Sequence, residues 1–181
     1  MIDHQELFLV PGCVTGLLQV SNKAEFQALL ERSADYCLLV DGHPPQPDGW
    51  LEVLEDRPPG RPMADKLVLG FSTAEHGLIG VLDAIRNYPS KDAWLIGLLL
   101  IDPAQRSRGL GRQIYRAFEA WAMHQGARHM FLGVVEKNDK ALKFWRTMGF
   151  EVVERQSARH FGKLTHAVIT MRRYLVLDES D

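Results

Sequence analysis

The sequence predicts an α/β fold of the α+β kind, built on a mixed sheet that is antiparallel early and parallel in the middle. Three observations carry this. Two apolar runs, 66–73 "KLVLGFST" and 78–86 "LIGVLDAIR", flank the turn-like 75–77 "EHG" and read as a hairpin. Two further runs, 93–101 "AWLIGLLLI" and 129–135 "HMFLGVV", are apolar on both faces, as strands covered on both sides are. Between them, Leu110, Ile114, Ala117, Phe118, Trp121 and Ala122 recur at helical spacing over 109–126. Strand, helix and strand in that order close a parallel pair through a right-handed crossover.

The remaining elements follow along the chain. Residues 14–20, "VTGLLQV", are the first strand candidate. A helix follows, with Ser21 or Asn22 as its cap and Phe26, Leu29 and Leu30 as its stripe. Residues 43–65 hold six of the nine prolines around one short amphipathic segment, "GWLEVLED", and read as a wall or lid. Gly126 suits the stop of the long helix. A second helix at 139–148 is capped by Asn138 or Asp139 and closed by Gly149. Two strands, near 150–158 and 165–174, finish the chain. One domain of 181 residues is expected, with 1–65 as a variable side, 66–155 as the core and 156–181 as terminal strands.

Composition narrows the function classes. A net charge of -2 argues against a protein that is basic overall, so nucleic-acid binding would need a local patch. The two cysteines, Cys13 and Cys37, lack the close spacing of a zinc site or a disulfide framework and read as reduced thiols of a cytoplasmic protein. No apolar run is long enough to span a bilayer, so no membrane partner is expected. The seven histidines show no metal-ligand spacing, and no metal is expected.

One loop stands out. Residues 105–113, "QRSRGLGRQ", join a buried strand to a helix N-terminus. The first N–H groups of a helix lack partners inside it, and the helix dipole adds positive charge there. Such a terminus binds anions. Gly109 and Gly111 permit unusual backbone angles, and Arg106, Arg108 and Arg112 add charge. The loop is not a P-loop, because no Gly-Lys-Ser/Thr follows, and it lacks the third glycine of the dinucleotide fingerprint. Solvated arginines around a tight turn, or a nucleic-acid patch, are the plainer alternatives.

The segment from "LLLIDPAQRSRGLGRQ" to "ALKFWRTMGFEVV" resembles the core of the GNAT superfamily of acyl-CoA-dependent N-acyltransferases. Arg106-x-x-Gly109-x-Gly111 resembles that family's pyrophosphate loop. Asn138, Ala141, Trp145 and Gly149-Phe150 resemble its later Asn-x-x-Ala-x-x-x-Tyr-x-x-x-Gly-Phe segment, with tryptophan in the tyrosine position. The resemblance covers residues 66–155.

It implies a GNAT-like fold: a mostly antiparallel central sheet with a parallel, splayed strand pair, flanked by helices. It also implies acetyl-CoA as cosubstrate, held in a cleft between the strands at 93–101 and 129–135. Backbone groups near Leu99 and Ile101 would pair with the pantetheine. N–H groups of Arg106, Ser107, Arg108, Gly109, Leu110, Gly111 and Arg112 would hold the pyrophosphate. Asn138, with Ala141 in the same motif, would bond the pantetheine or the arm near the thioester. The acceptor would be an amine on a small molecule or a protein, and a homodimer is left open.

Three residues are candidates for proton transfer. Asp83 interrupts the apolar run "LIGVLDAI" and is either a base or amine anchor, or a carboxylate satisfied by an arginine such as Arg86 or by another residue. Glu136 ends a central strand beside the expected cleft, or is a solvated strand end. Trp145 can donate from its indole but is no acid, and its plainer role is a core aromatic. Tyr36 and Tyr88 could line the acceptor side. The alternative to catalysis is a module that binds acyl-CoA without turning it over.

Overall fold

The structure is a computed structural model that describes residues 7–175. Its strands are β1 (Val14–Leu17), β2 (Lys66–Thr73), β3 (Gly77–Ile85), β4 (Ala93–Ile101), β5 (His129–Val135), β6 (Glu151–Phe161) and β7 (Leu164–Tyr174). Its helices are α1 (Lys23–Arg32), α2 (Ala34–Val40), α3 (Gly49–Glu55), α4 (Leu110–His124) and α5 (Asp139–Thr147). The strands form one sheet in the order β1-β2-β3-β4-β5-β7-β6. Every neighbouring pair is antiparallel except β4 and β5.

The two faces of the sheet bury different sets of side chains. On one face, Ile114, Tyr115, Phe118 and Trp121 of α4 and Leu142 and Trp145 of α5 pack on Leu69, Leu82, Ile96, Leu132 and Met171. On the other, Phe26, Leu29 and Leu30 of α1 and Leu54 of α3 cover Val68, Val81 and Leu100. Both cores follow from the alternation of strand side chains and the helical stripes read in the sequence. The mixed sheet, its parallel pair and the flanking helices are those expected. Among the described residues no helix is long and apolar enough to cross a membrane.

Three elements differ from expectation. The first strand ends at Leu17, and a 3-10 turn at Val20–Asn22 leads into α1. A short helix, α2, follows α1 directly. At the break Ser33 is buried, and its N–H reaches the carbonyls of both Leu29 and Leu30 at 3.0 Å. Periodicity does not reveal α2, because Cys37-Leu38-Leu39-Val40 is one continuous apolar run without a stripe. Finally, β6 runs on to Phe161, and β7 lies inside it, between β5 and β6.

Candidate active site

The parallel pair is short. β4 and β5 are in register only from Ala93–Ile96 opposite His129–Leu132. Beyond Ile96, β4 stays paired with β3 on one side, while β5 continues with β7 on the other. The edge of β4 from Gly97 to Ile101 therefore faces a notch. The notch opens at a bulge: Leu98 pairs with Asp83, but Ile96 pairs with Ala84, so Gly97 is the extra residue. A Cβ on Gly97 would run into Asp83 Oδ2, so any side chain there would have to displace that carboxylate. The sequence pattern alone reads 93–101 as an unbroken strand. An isolated glycine inside a strand pattern is the signal for the bulge.

The loop after β4 is built in two steps. Asp102, buried, accepts from the Ala104 N–H at 2.9 Å and from Arg32 Nε at 2.6 Å. Burial alone would raise its pKa, but these two hydrogen bonds together with the charges of Arg32 and Arg106 outweigh it and hold the carboxyl below its ordinary range. The chain then turns through Ser107 and Gly109, both with positive φ, at 61° and 83°. Helix α4 begins at Leu110, with its first bond from Gln113 N–H to Gly109 O at 3.0 Å. The N–H groups of Leu110, Gly111 and Arg112 thus have no carbonyl one turn back. A side chain at Gly109 would meet no atom within 4 Å, so backbone angle rather than space demands glycine. At Gly111 a Cβ would make ordinary contacts of 3.7 Å with Ile101 and Phe144.

The three arginines of the loop separate. Arg106 is committed to protein groups: its Nε donates to Ile101 O at 2.8 Å, and its two terminal nitrogens grip the Asp35 carboxylate. The Arg106 side chain is thus turned to protein groups, while Arg106 stays in the loop that the sequence marks as an anion site. Arg108 and Arg112 are the exposed pair at the helix entrance. Leu99 and Ile101 lie half-buried on the open edge of β4. Asn138 caps α5, its Oδ1 accepting from the Ala141 N–H at 3.1 Å. A ligand bond from Asn138 would therefore come from its Nδ2 donors.

The candidate proton-transfer groups do not meet. Asp83 is buried on β3 beside the Gly97 bulge, and its partner is Lys66, with Nζ 2.9 Å from Oδ1. Of the partners considered for it, Arg86 donates instead to the Ala64 carbonyl, and Lys66 is the other residue that pairs with it. Burial pushes the Asp83 pKa up to about 6 against the opposing pull of Lys66. Glu136 leaves the strand end and takes a two-pronged bond from Arg155, at 2.6 and 2.7 Å, whose hydrogen bond lowers its pKa. Trp145 is 6% exposed, and its ring packs edge-on against Tyr115, Phe144 and Phe150. Trp145 thus sits as a core aromatic, packed on three sides. Tyr36 packs on the α1–α3 core, where burial and then Asp41 push its pKa up to about 12.

The match to a family model rests on this same stretch. A model described as Acetyltransferase (GNAT) family matches residues 27–150. The chain belongs to that family. The match begins in α1, well before the residue 66 at which the sequence motifs become legible. A Bacillus subtilis (strain 168) protein, the uncharacterized N-acetyltransferase YobR, is 24% identical over 126 residues, or 69% of this chain and 47% of that protein. The chain thus spans about half the length of that curated relative.

Solved GNAT structures share the fold. An acetyltransferase from Thermus thermophilus superposes with a TM-score of 0.74 at 24% identity, covering 92% of this chain and 99% of that one. A spermidine N-acetyltransferase from Vibrio cholerae, solved with CoA and spermine, gives 0.68 at 14% identity, covering 91% and 96%.

Sequence reasoning missed two polar groups of this GNAT domain. Glu119, 7% exposed on α4, accepts from Tyr115 Oη and Arg116 Nη1, both at 2.7 Å, and from Arg173 of β7. The Arg173 guanidinium occupies the space where a Cβ of Gly149 would stand. Gly149 therefore closes α5 and also makes room for this network. His166, buried on β7, bonds the Val40 carbonyl at 3.0 Å. No local pattern marks either group, because Arg173 and Val40 lie far away in the chain.

Proposed function

We propose that this protein is an N-acetyltransferase that moves an acetyl group from acetyl-CoA to a primary amine, by direct transfer in a ternary complex. The observation that carries the reading is the notch opened by the Gly97 bulge, directly before a helix N-terminus with unpaired N–H groups. Acetyl-CoA would supply an acetyl thioester with a good leaving group. The open backbone of Gly97–Ile101 suits the amide groups of its pantetheine arm. The N–H groups of Ser107–Arg112 suit its pyrophosphate, with Arg108 and Arg112 adding charge. Asn138 Nδ2 is the side-chain donor on the opposite wall.

The protein's own task is orientation and deprotonation. An amine attacks only when neutral, so the acceptor must lose a proton. Asp83 is the group we assign to that role. It sits beside the bulge, and a pKa near 6 suits a base working at neutral pH. Lys66 already supplies a cation to Asp83, which argues against the second role considered for it, anchoring the acceptor ammonium. Glu136 is a weaker candidate, because Arg155 holds it in its charged form. A thiol leaves readily near its own pKa of about 8.5, so a tyrosine at position 145 is not required. The thiols of half-buried Cys13 and buried Cys37, whose pKa values burial raises, suit a reducing cytoplasm.

Thiol release from acetyl-CoA tests this directly. The panel should hold a polyamine, an aminoglycoside, an amino acid and a peptide N-terminus, at mildly alkaline pH. Release that depends on an added amine is expected. CoA binding without release for any amine would instead favour a non-catalytic acyl-CoA-binding module, the reading that the core position of Trp145 supports.

A further inference from the structure

Helix α2 is held at two ends by unlike means. At its start, Asp35 accepts from the Arg106 guanidinium, with Nη2 to Oδ1 at 3.1 Å and a closer contact from Nη1 to Oδ2. The same guanidinium donates from Nε to Ile101 O, the last residue of β4. At its far end, the Val40 carbonyl accepts from His166 Nε2 on β7 at 3.0 Å, and Asp41 O accepts from the Lys163 N–H at 2.7 Å. Backbone packs tightly there. A Cβ on Gly162 would stand 2.5 Å from Asp41 O, and one on Gly42 would stand 2.8 Å from Leu164.

These attachments place α2 across the notch. Ile101 ends β4, and the start of β7 lies beside the end of β5, since Val168 pairs with Val135. Because β4 and β5 are parallel, both attachments lie at one end of the sheet, on opposite sides of the splay. The β7 attachment is buried, with His166 3% exposed. The loop attachment is exposed, with side-chain exposures of 61% for Asp35 and 34% for Arg106. Exposed ion pairs add little to global stability. This one can open and close without unfolding the domain.

We propose that the Asp35–Arg106 pair is a clasp that couples the donor loop to α2, and that Arg106 is a positioning residue for the acceptor side. The inference rests on the donor reading above. One guanidinium ties three parts together: the end of the open β4 edge, the loop, and the strap over the notch. A pyrophosphate that orders residues 107–112 fixes Arg106 next to them, and Arg106 then fixes the start of α2. By reciprocity, an acceptor that holds α2 down favours the donor-binding form of the loop. The clasp gives a physical reason for an arginine at the head of Arg-x-x-Gly-x-Gly here that needs no contact with phosphate.

Hydrogen exchange of the full chain, with and without CoA, tests the clasp in the native protein, Asp35→Asn and Asp35→Glu. In the native protein CoA should slow exchange both in 107–112 and in 35–41. Asp35→Asn should keep the first protection and lose the second. Asp35→Glu, which retains a carboxylate, should recover it. Protection of the loop with no change in α2, or equal α2 protection in Asp35→Asn, overturns the clasp and leaves the donor reading standing. If the loop itself gains no protection, the donor reading fails and the clasp falls with it.

Discussion

The part proposed to hold the donor, from β4 through α5 (the donor half), and the part proposed to face the acceptor, from β1 through α3 (the acceptor half), are built on different principles. The donor half presents backbone: an open strand edge, a bulge and the first turn of a helix. Two glycines shape this backbone, Gly97 at the bulge and Gly109 at the turn with positive φ. The acceptor half presents side chains on short helices, which include the exposed Leu38 and Leu39. Backbone recognition constrains sequence into motifs, whereas side-chain recognition leaves it free to vary. The contrast explains why the sequence speaks of the donor and is silent on the acceptor.

Substitutions can break or sharpen this contrast. The largest effect is expected at Trp145, where the account makes the ring a packing element. Trp145→Ala should cost about 3–5 kcal/mol in urea unfolding. Trp145→Phe should cost less than about 1.5 kcal/mol and keep turnover in the thiol-release assay. A stable Trp145→Phe variant that loses turnover would give the indole N–H a chemical role.

Asp83 tests whether the side-chain chemistry begins at the wall between the halves. Its folded pKa, about 6, lies above the ordinary carboxylate value of 3.8. The stability that this group contributes is therefore full below about pH 4 and is lost as pH rises through about 6. As a base it should work in the opposite sense, with kcat/KM falling as pH drops below about 6. Asp83→Asn should remove that limb of the pH profile. A folded Asn variant with the native pH profile would end the assignment.

Gly109→Val probes the backbone half. Its site has open space but a φ of 83°, so valine strains the loop without a clash. The fold should survive at a cost of about 1–2 kcal/mol, and CoA affinity should fall by about tenfold or more, read by calorimetry. The smallest effect is expected at Glu136. Its pair with Arg155 is exposed on both sides, so Glu136→Gln should leave both stability and turnover close to native.

The legible and illegible parts of this chain divide along physical lines. Long periodic elements are readable: β4 and β5 as apolar runs, α4 as a stripe, α5 between its Asn138 cap and Gly149. The loop can be read as an anion site because strand, glycines and helix follow one another locally. What requires the structure is long-range. Asp83 meets Lys66 rather than the nearby Arg86, and Arg106 meets Asp35, 71 positions away. The bulge at Gly97 is written in the sequence as a lone glycine, but its partner carboxylate is not. Helix α2, too short to show a period, is placed by its two attachments.

The central claim is that donor recognition is a property of the Gly97–Ile101 edge and the Ser107–Arg112 turn. Titrating isotope-labelled protein with CoA and following its amide resonances tests this most directly. The account predicts the largest shifts at Gly97–Ile101 and Ser107–Arg112, with those of β1 and β2 nearly unmoved. Saturable CoA binding that leaves both segments unshifted would contradict it.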